Sequence, residues 1–323
     1  MTDLRSSAEA FVAPASTEAR GRVARQPFLS LNALLFVAMC LAWGLTFLPV
    51  KIAVAHVPPI FLAAARFSIA GLLLLAWAGR GAFKVPIQAW LRLVGTALLV
   101  NSCNYALLFW GMAHAPSGLA AIINMATIPI YTVLASRVIE GQPISGRRIA
   151  AVALGAIGLS FLFATRALGG LSAAKGDGLE LWGLAAIALG TFCHCVGAVL
   201  SRKIAGSVPT LTLAGWQTMI GALGLILLSL SLEPVSIAHL RALVEWPTAP
   251  ALAFVVIVGS LVGFTIFLRL LRDWGAFYAG LFAFVSPVIA VGAGVVALGE
   301  PFGWPEAVGA LLMFGAAAIA LRK

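Results

Sequence analysis

Charge is what this chain has least of. Only 10% of its 323 residues are Asp, Glu, Lys or Arg, and 11 of them are acidic. Soluble domains carry about 25% charged residues, so a water-facing globular surface is excluded. Hydrophobic residues make up 62% of the chain, and mean hydropathy is +1.04. Cysteine is scarce as well. Cys40, Cys103, Cys193 and Cys195 all lie in apolar runs and read as small buried hydrophobes, which excludes a disulfide framework. Repeated period-two alternation is missing, and with it the membrane β-barrel. No HExxH, GxSxG or Gly-rich phosphate loop is present, and all acidic residues sit in tails, loops or run ends. A membrane enzyme is therefore disfavoured: no catalytic residue, cofactor or metal is assigned.

What is present is a series of long apolar runs. A spanning helix needs about 20 such residues, and helices are the remaining structure that satisfies its own backbone in lipid. The first run covers about 31–54, the second extends to about 78, and the third covers about 93–112. The fourth holds Pro129, and the fifth covers about 149–163. The sixth to tenth cover about 179–200, 211–232, 251–271, 276–298 and 305–321. The fold class is thus an all-α polytopic membrane protein with ten transmembrane helices. Residues 1–30 are polar and read as a disordered cytoplasmic tail. The Gly- and Ala-rich stretch 165–178 is the natural joint between repeats at 31–164 and 179–323.

The net charge of +10 is scattered among short loops, so nucleic acid is not an expected partner; lipid and a small-molecule substrate are. Placing the amino terminus inside puts Arg80, Lys84, Arg92, Arg137, Arg147, Arg148, Arg202, Lys203, Arg269 and Arg272 on the cytoplasmic side. The opposite side then holds Arg166, Lys175 and Arg241. Both termini are expected in the cytoplasm. One string occurs twice: without gaps, Pro129 aligns with Pro287, Gly141 with Gly299 and Pro143 with Pro301. Five helices per repeat is an odd number, so the two repeats must be inverted, as in many secondary transporters. Pro129 and Pro287 are expected to break matching helices as a pair of hinges.

These features resemble an EamA-type exporter of the drug/metabolite transporter superfamily. The resemblance is carried by Trp43-Gly44, Lys51, Arg66-Phe67, the repeated Pro129…Gly141-Gln142-Pro143 and Pro287…Gly299-Glu300-Pro301, and Gly309 with Gly315. It implies a ten-helix exporter of amino acids or other small metabolites in a bacterial inner membrane. Some members of that family export aromatic amino acids. The family has Gly-Glu at both repeat exits. Here Gln142 stands at the first, with Glu140 two residues earlier, so the two halves have diverged at that point.

Candidate substrate-binding residues follow from polarity where lipid makes polarity costly. Lys51 and Arg66 are basic residues within apolar runs. A cation at the bilayer centre costs about 2.5–3.5 kcal/mol. Either residue attracts a carboxylate from a cavity or snorkels to the headgroups, and snorkelling is the expected reading for Lys51. Asn101, Asn104 and Tyr105 share one helix face, which points at a cavity or bonds a neighbouring helix. Trp43, Trp216, Gln217 and Phe264 are further candidates, as are Tyr278, Phe282 and Ser286, spaced four apart before Pro287. An aromatic lining would suit aromatic and apolar substrates. Cys193-His194-Cys195 cannot close on one ion, because adjacent helical residues point about 100° apart. His194 is kept as a cavity donor. Gly259-Ser-Leu-Val-Gly263 has the spacing for close helix contact. Glu300 reads as structural. The expected function is alternating-access, gradient-driven export, with proton-coupled export of other metabolites or cationic drugs as the alternative.

Overall fold

In a computed structural model of the chain, residues 31–141, 143, 145–172 and 179–321 are described. The expected tail at 1–30, Gln142, and residues 173–178 of the expected joint lie outside them. Among the described residues there is helix and no strand. The spanning helices are α1 (Leu31–Ala53), α2 (Pro59–Phe83), α3 (Ile87–His114), α4 (Ser117–Glu140) and α5 (Gly146–Thr165). They continue with α6 (Leu179–Ala205), α7 (Thr210–Leu232), α8 (Thr248–Gly275) and α9 (Tyr278–Leu298), and a shorter apolar helix, α10 (Trp304–Leu321), follows. Helical backbone beyond α5 continues to Ser172, into the stretch expected as loop.

Helix breaks fall where backbone chemistry requires them. Pro58, Pro116 and Pro209 stand at the N-caps of α2, α4 and α7, where a missing N–H costs nothing. Gly141 and Gly299 end α4 and α9 in the left-handed conformation, with φ of 68° and 63°. A side chain would be strained there, which is why both copies of the repeat exit through glycine. Gly275, at φ 82°, separates α8 from α9.

Packing carries the internal repeat into three dimensions. The equivalent helices α2 and α7 lie together, as do α4 with α9 and α5 with α10. Helix α3 packs on α6 as α8 packs on α1, and α4 packs on α6 as α9 packs on α1. Exchanging the two halves leaves this set of pairs unchanged, the mark of a pseudo-two-fold arrangement. Wide turns of π-helix interrupt α3 at Leu98–Cys103 and α8 at Val255–Val262. The gapless register that aligns Pro129 with Pro287 places the first of these inside the second. π-Segments concentrate at functional sites, and here both face the centre of the molecule.

The helices define two ends. At the basic end lie Arg80, Arg92, Arg137, Arg147, Arg202 and Arg272, at the terminal turns of α2 to α6 and α8. The opposite end carries Glu233 after α7 and Glu300 after α9, and will be called the carboxylate end. Large apolar side chains such as Leu72, Trp77, Leu189, Leu227 and Leu311 are exposed around the perimeter. A lipid environment is the setting in which such a surface is stable.

Candidate transport cavity

A cavity of about 680 Å³ lies between the halves. Its walls come from α1, α2, α3, α4, α6, α7, α8 and α9. Toward the carboxylate end it is lined by Phe47, Val50, Leu108, Phe109 and Met112, all buried. Toward the basic end Ala214, Gln217, Thr218, Leu271 and Gly280 are partly exposed. The lining is thus more closed at the carboxylate end than at the basic end.

Three polar clamps hold the closed end. The first is Lys51, whose Nζ–H₃⁺ donates to the carbonyls of Met112 and Ala115, each at 2.8 Å, and to that of Ala113 at 3.4 Å. These are orphan carbonyls at the end of α3, where a cation is favoured. Lys51 thus neither snorkels to headgroups nor lines the cavity. The second is Glu300, which accepts from the first N–H groups of α4. The third is Glu233, which accepts from the N–H groups of Ile60 (2.7 Å) and Phe61 (2.8 Å) at the start of α2. Neither helix start has a side-chain cap of its own. At the basic end, Glu140 pairs with Arg202 at 3.1 Å, tying α4 to α6. The two repeat exits therefore use their acidic residues differently.

Arg66 sits in the cavity wall. Its Nε–H and one terminal amino group donate to Ser260 Oγ at 3.4 and 3.3 Å. Its guanidinium carbon lies 5.0, 5.4 and 5.9 Å from the ring centres of Phe67, Tyr105 and Phe109. Aromatic faces stabilise the cation without neutralising it. Among the described residues, no carboxylate pairs with Arg66 and none lines the cavity.

Amides make up much of the remaining polar lining. Asn101 donates to the Gln217 carbonyl at 2.8 Å, Asn124 to Thr191 Oγ1 at 2.9 Å, and Gln217 to Thr96 and Ser201. Asn104 Oδ1 and His194 Nδ1 are buried without a hydrogen-bond partner among the described residues. Near the basic end Trp43, Phe267 and Phe282 form an aromatic cluster, with Trp43 at 4.5 Å from Phe282 and 5.3 Å from Phe267. The indole N–H of Trp43 donates to the Gly259 carbonyl in the α8 π-segment at 3.0 Å. The Gly259 and Gly263 pair does bring helices close. A methyl group on Gly259 would fall 2.7 Å from Thr46 Cγ2, and one on Gly263 2.5 Å from Trp43 Nε1.

Of the residues singled out from sequence, Trp43, Arg66, Asn101, Asn104, Tyr105, His194, Gln217, Phe264 and Phe282 line this cavity. Trp216, Tyr278 and Ser286 do not. Trp216 lies at the basic end of α7, where it stacks edge-on against Trp90 and donates to the Ala82 carbonyl at 2.8 Å. Tyr278 is 55% exposed and packs on Trp274, outside the cavity. Ser286 is fully buried behind α1, and a side chain on Gly44 would meet its carbonyl oxygen. The shared helix face was correct for Phe282, but only that part of it reaches the cavity. Sequence reasoning missed Phe267, Ser260, Asn124, Thr132 and Thr191. For Asn124 a signal existed, an amide in an apolar run; the others look like ordinary membrane-helix residues. Within Cys193-His194-Cys195 the side chains diverge: His194 faces the cavity while the Cys195 thiol donates to the Ile128 carbonyl at 3.6 Å. Both prolines lie within continuous helices, α4 and α9.

A ten-helix pseudo-symmetric bundle with one end closed over a large central cavity belongs to the class of polytopic membrane transporters. The chain is a member of the EamA-like transporter family, whose model matches residues 30–164 and again 181–322. It is similar to an inner membrane transporter of Escherichia coli K12, YedA, with 30% identity over 79% of this chain and 78% of that protein. It also resembles a probable amino-acid metabolite efflux pump of Salmonella typhimurium, with 24% identity over 86% of this chain and 91% of that protein. A solved crystal structure shares the fold, with a TM-score of 0.59 at 23% identity, covering 90% of this chain and 96% of that one.

Proposed function

We propose that this protein exports aromatic or hydrophobic amino acids, or similar small carboxylate-bearing metabolites, across a bacterial inner membrane by alternating access. The observation that carries this reading is Arg66, a guanidinium in the wall of an aromatic-sided cavity with no carboxylate beside it among the described residues. A positive group at this depth is matched by an anionic group on the substrate. Trp43, Phe267 and Phe282 supply flat apolar surface for its body. The relative named as an amino-acid metabolite efflux pump supports the same class.

The basic end is proposed to face the cytoplasm, with both termini there, on the distribution of Lys and Arg. The conformation is then inward-open, ready to load. Between the repeats at 31–164 and 179–323, helices α3, α4, α8 and α9 are proposed to move, with Pro129 and Pro287 as hinges. Gradient-driven movement is favoured over proton antiport, because the cavity lining among the described residues holds no Asp or Glu. Cationic drugs suit the site poorly for the same reason. Transport of a bound solute unchanged, rather than catalysis, fits a cavity walled by apolar groups and amides.

The test is flux of labelled amino acids and aryl carboxylates in proteoliposomes containing the purified protein, with no added energy source. Downhill movement abolished in Arg66→Gln is the expected result. Folded protein that moves none of them would sink the reading.

A further inference from the structure

Resting on the export reading above, the geometry points to a narrower substrate class: the cavity selects monoanionic aromatic acids over zwitterionic amino acids of the same shape. Arg66 is permanently charged. Among the described residues Ser260 is its one hydrogen-bond partner, through a single oxygen at 3.3 Å or more. Most of the guanidinium fork is left for an incoming carboxylate, the group whose two oxygens match it. The Phe67, Tyr105 and Phe109 rings, 5.0–5.9 Å away, flank the guanidinium and stabilise its charge.

Charge balance then decides between substrates. With Arg66 as the permanent charge of the lining, a monoanion brings the loaded cavity to neutrality. A zwitterion leaves one positive charge uncompensated, and a cation adds a second. An ammonium also needs acceptors on three sides. No carboxylate among the described lining residues offers itself; the buried unpartnered atoms His194 Nδ1 and Asn104 Oδ1 lie on different helices and each suits one hydrogen-bond partner, and the amide oxygen is the one that is always an acceptor. That buried acceptor matches a single uncharged donor, such as a hydroxyl, an amide N–H or an indole N–H. An aryl acid, a 2-oxo or 2-hydroxy acid with an aromatic ring, or an N-acylated aromatic amino acid meets both demands.

Four probes that share a phenyl ring on a short chain separate the charge states: 3-phenylpropionate, phenylalanine, 3-phenylpropionamide and phenethylamine. Binding of each to the purified full-length protein is measured directly, and counterflow of each is measured in proteoliposomes. The propionate is expected to bind about tenfold or more tighter than phenylalanine, the charge difference expected in a partly desolvated site. The amine is expected to bind weakest. Phenylalanine binding as tightly as the propionate, or tighter, overturns the inference. Equal binding of all four also overturns it while leaving the export reading intact; no binding and no flux of any probe removes both.

Arg66→Gln is expected to abolish the advantage of the anion while keeping affinity for the uncharged amide within about twofold. Unchanged selectivity in that variant counts against Arg66 as the anion site. Should Arg66→Gln bind nothing, Arg66→Lys decides. Charge without the fork must retain preference for the propionate over phenylalanine, and loss of that preference in a variant that still binds the amide refutes the inference.

Discussion

The carboxylate of Glu300 holds the start of α4 through Ser117. Oε1 accepts the Ser117 backbone N–H at 2.6 Å, and Oε2 accepts the Ser117 hydroxyl at 2.9 Å and the Gly118 N–H at 3.0 Å. A carboxylate on otherwise uncapped helix N–H groups is a charge-assisted contact, worth about 1.5–3 kcal/mol. Because Glu300 follows α9, this contact joins equivalent helices of the two halves at the closed end. If that end opens during the cycle, the contact must break.

Glu300→Gln is therefore expected to weaken the closed end without removing side-chain volume. A reporter cysteine at Val57, which is buried at this end and 3% exposed, reads the change. Its labelling by a membrane-impermeant thiol reagent should rise several-fold in the Glu300→Gln background. Unchanged labelling would mean that this contact does not govern closure.

Lys51 acts on the neighbouring turn, since its acceptor Ala115 and the Glu300 partner Ser117 flank Pro116. Lys51→Met removes donors from three helix-end carbonyls and is expected to cost about 1–3 kcal/mol. The double variant Lys51→Met/Glu300→Gln should lose less than the sum of the single variants, because both release the same α3–α4 corner. Strict additivity in thermal or denaturant unfolding would show two independent contacts.

Glu233 provides a contrast. It caps α2 from the end of α7, two helices already in close contact along their length: side chains on Gly71 and Gly215 would meet Met219 and Leu75 at 3.0 and 2.9 Å. A pair packed this tightly moves as one body. Glu233→Gln is expected to lower the unfolding temperature while leaving Val57→Cys labelling and the transport rate unchanged. A change in labelling would place the α2–α7 pair in the gate.

How much of this was legible in the sequence varies with physical cause. Ten helices were visible because lipid leaves the backbone no other solution and long apolar runs announce it. Arg66, Asn101, Asn104 and Gln217 stood out because a polar group within such a run needs a destination. Aromatic residues carry no such signal. Phe267 and Tyr278 look equally plausible, and only the break at Gly275 turns one inward and the other outward. The role of Lys51 was hidden because its acceptors are backbone carbonyls of a helix sixty residues away. The paired π-segments have no sequence signature at all, being set by how α3 and α8 pack.

The hinge reading of Pro129 and Pro287 makes the sharpest demand. Each proline removes one helical N–H, leaving the carbonyls of Met125 and Ala283 without their usual partner. An interior proline costs a soluble helix about 3 kcal/mol. In these continuous helices, Pro129→Ala and Pro287→Ala should restore that bond and raise the unfolding temperature. If the prolines exist to let α4 and α9 bend as access alternates, the same variants must slow transport while leaving substrate affinity in the loaded cavity nearly unchanged. The double variant should be slower than either single one, because both halves then stiffen. Stabilised variants that transport at the original rate would show the prolines to be packing features of the repeat. Rate and stability moving in opposite directions would tie these two positions to the conformational change itself, since a residue important only for folding would move both the same way.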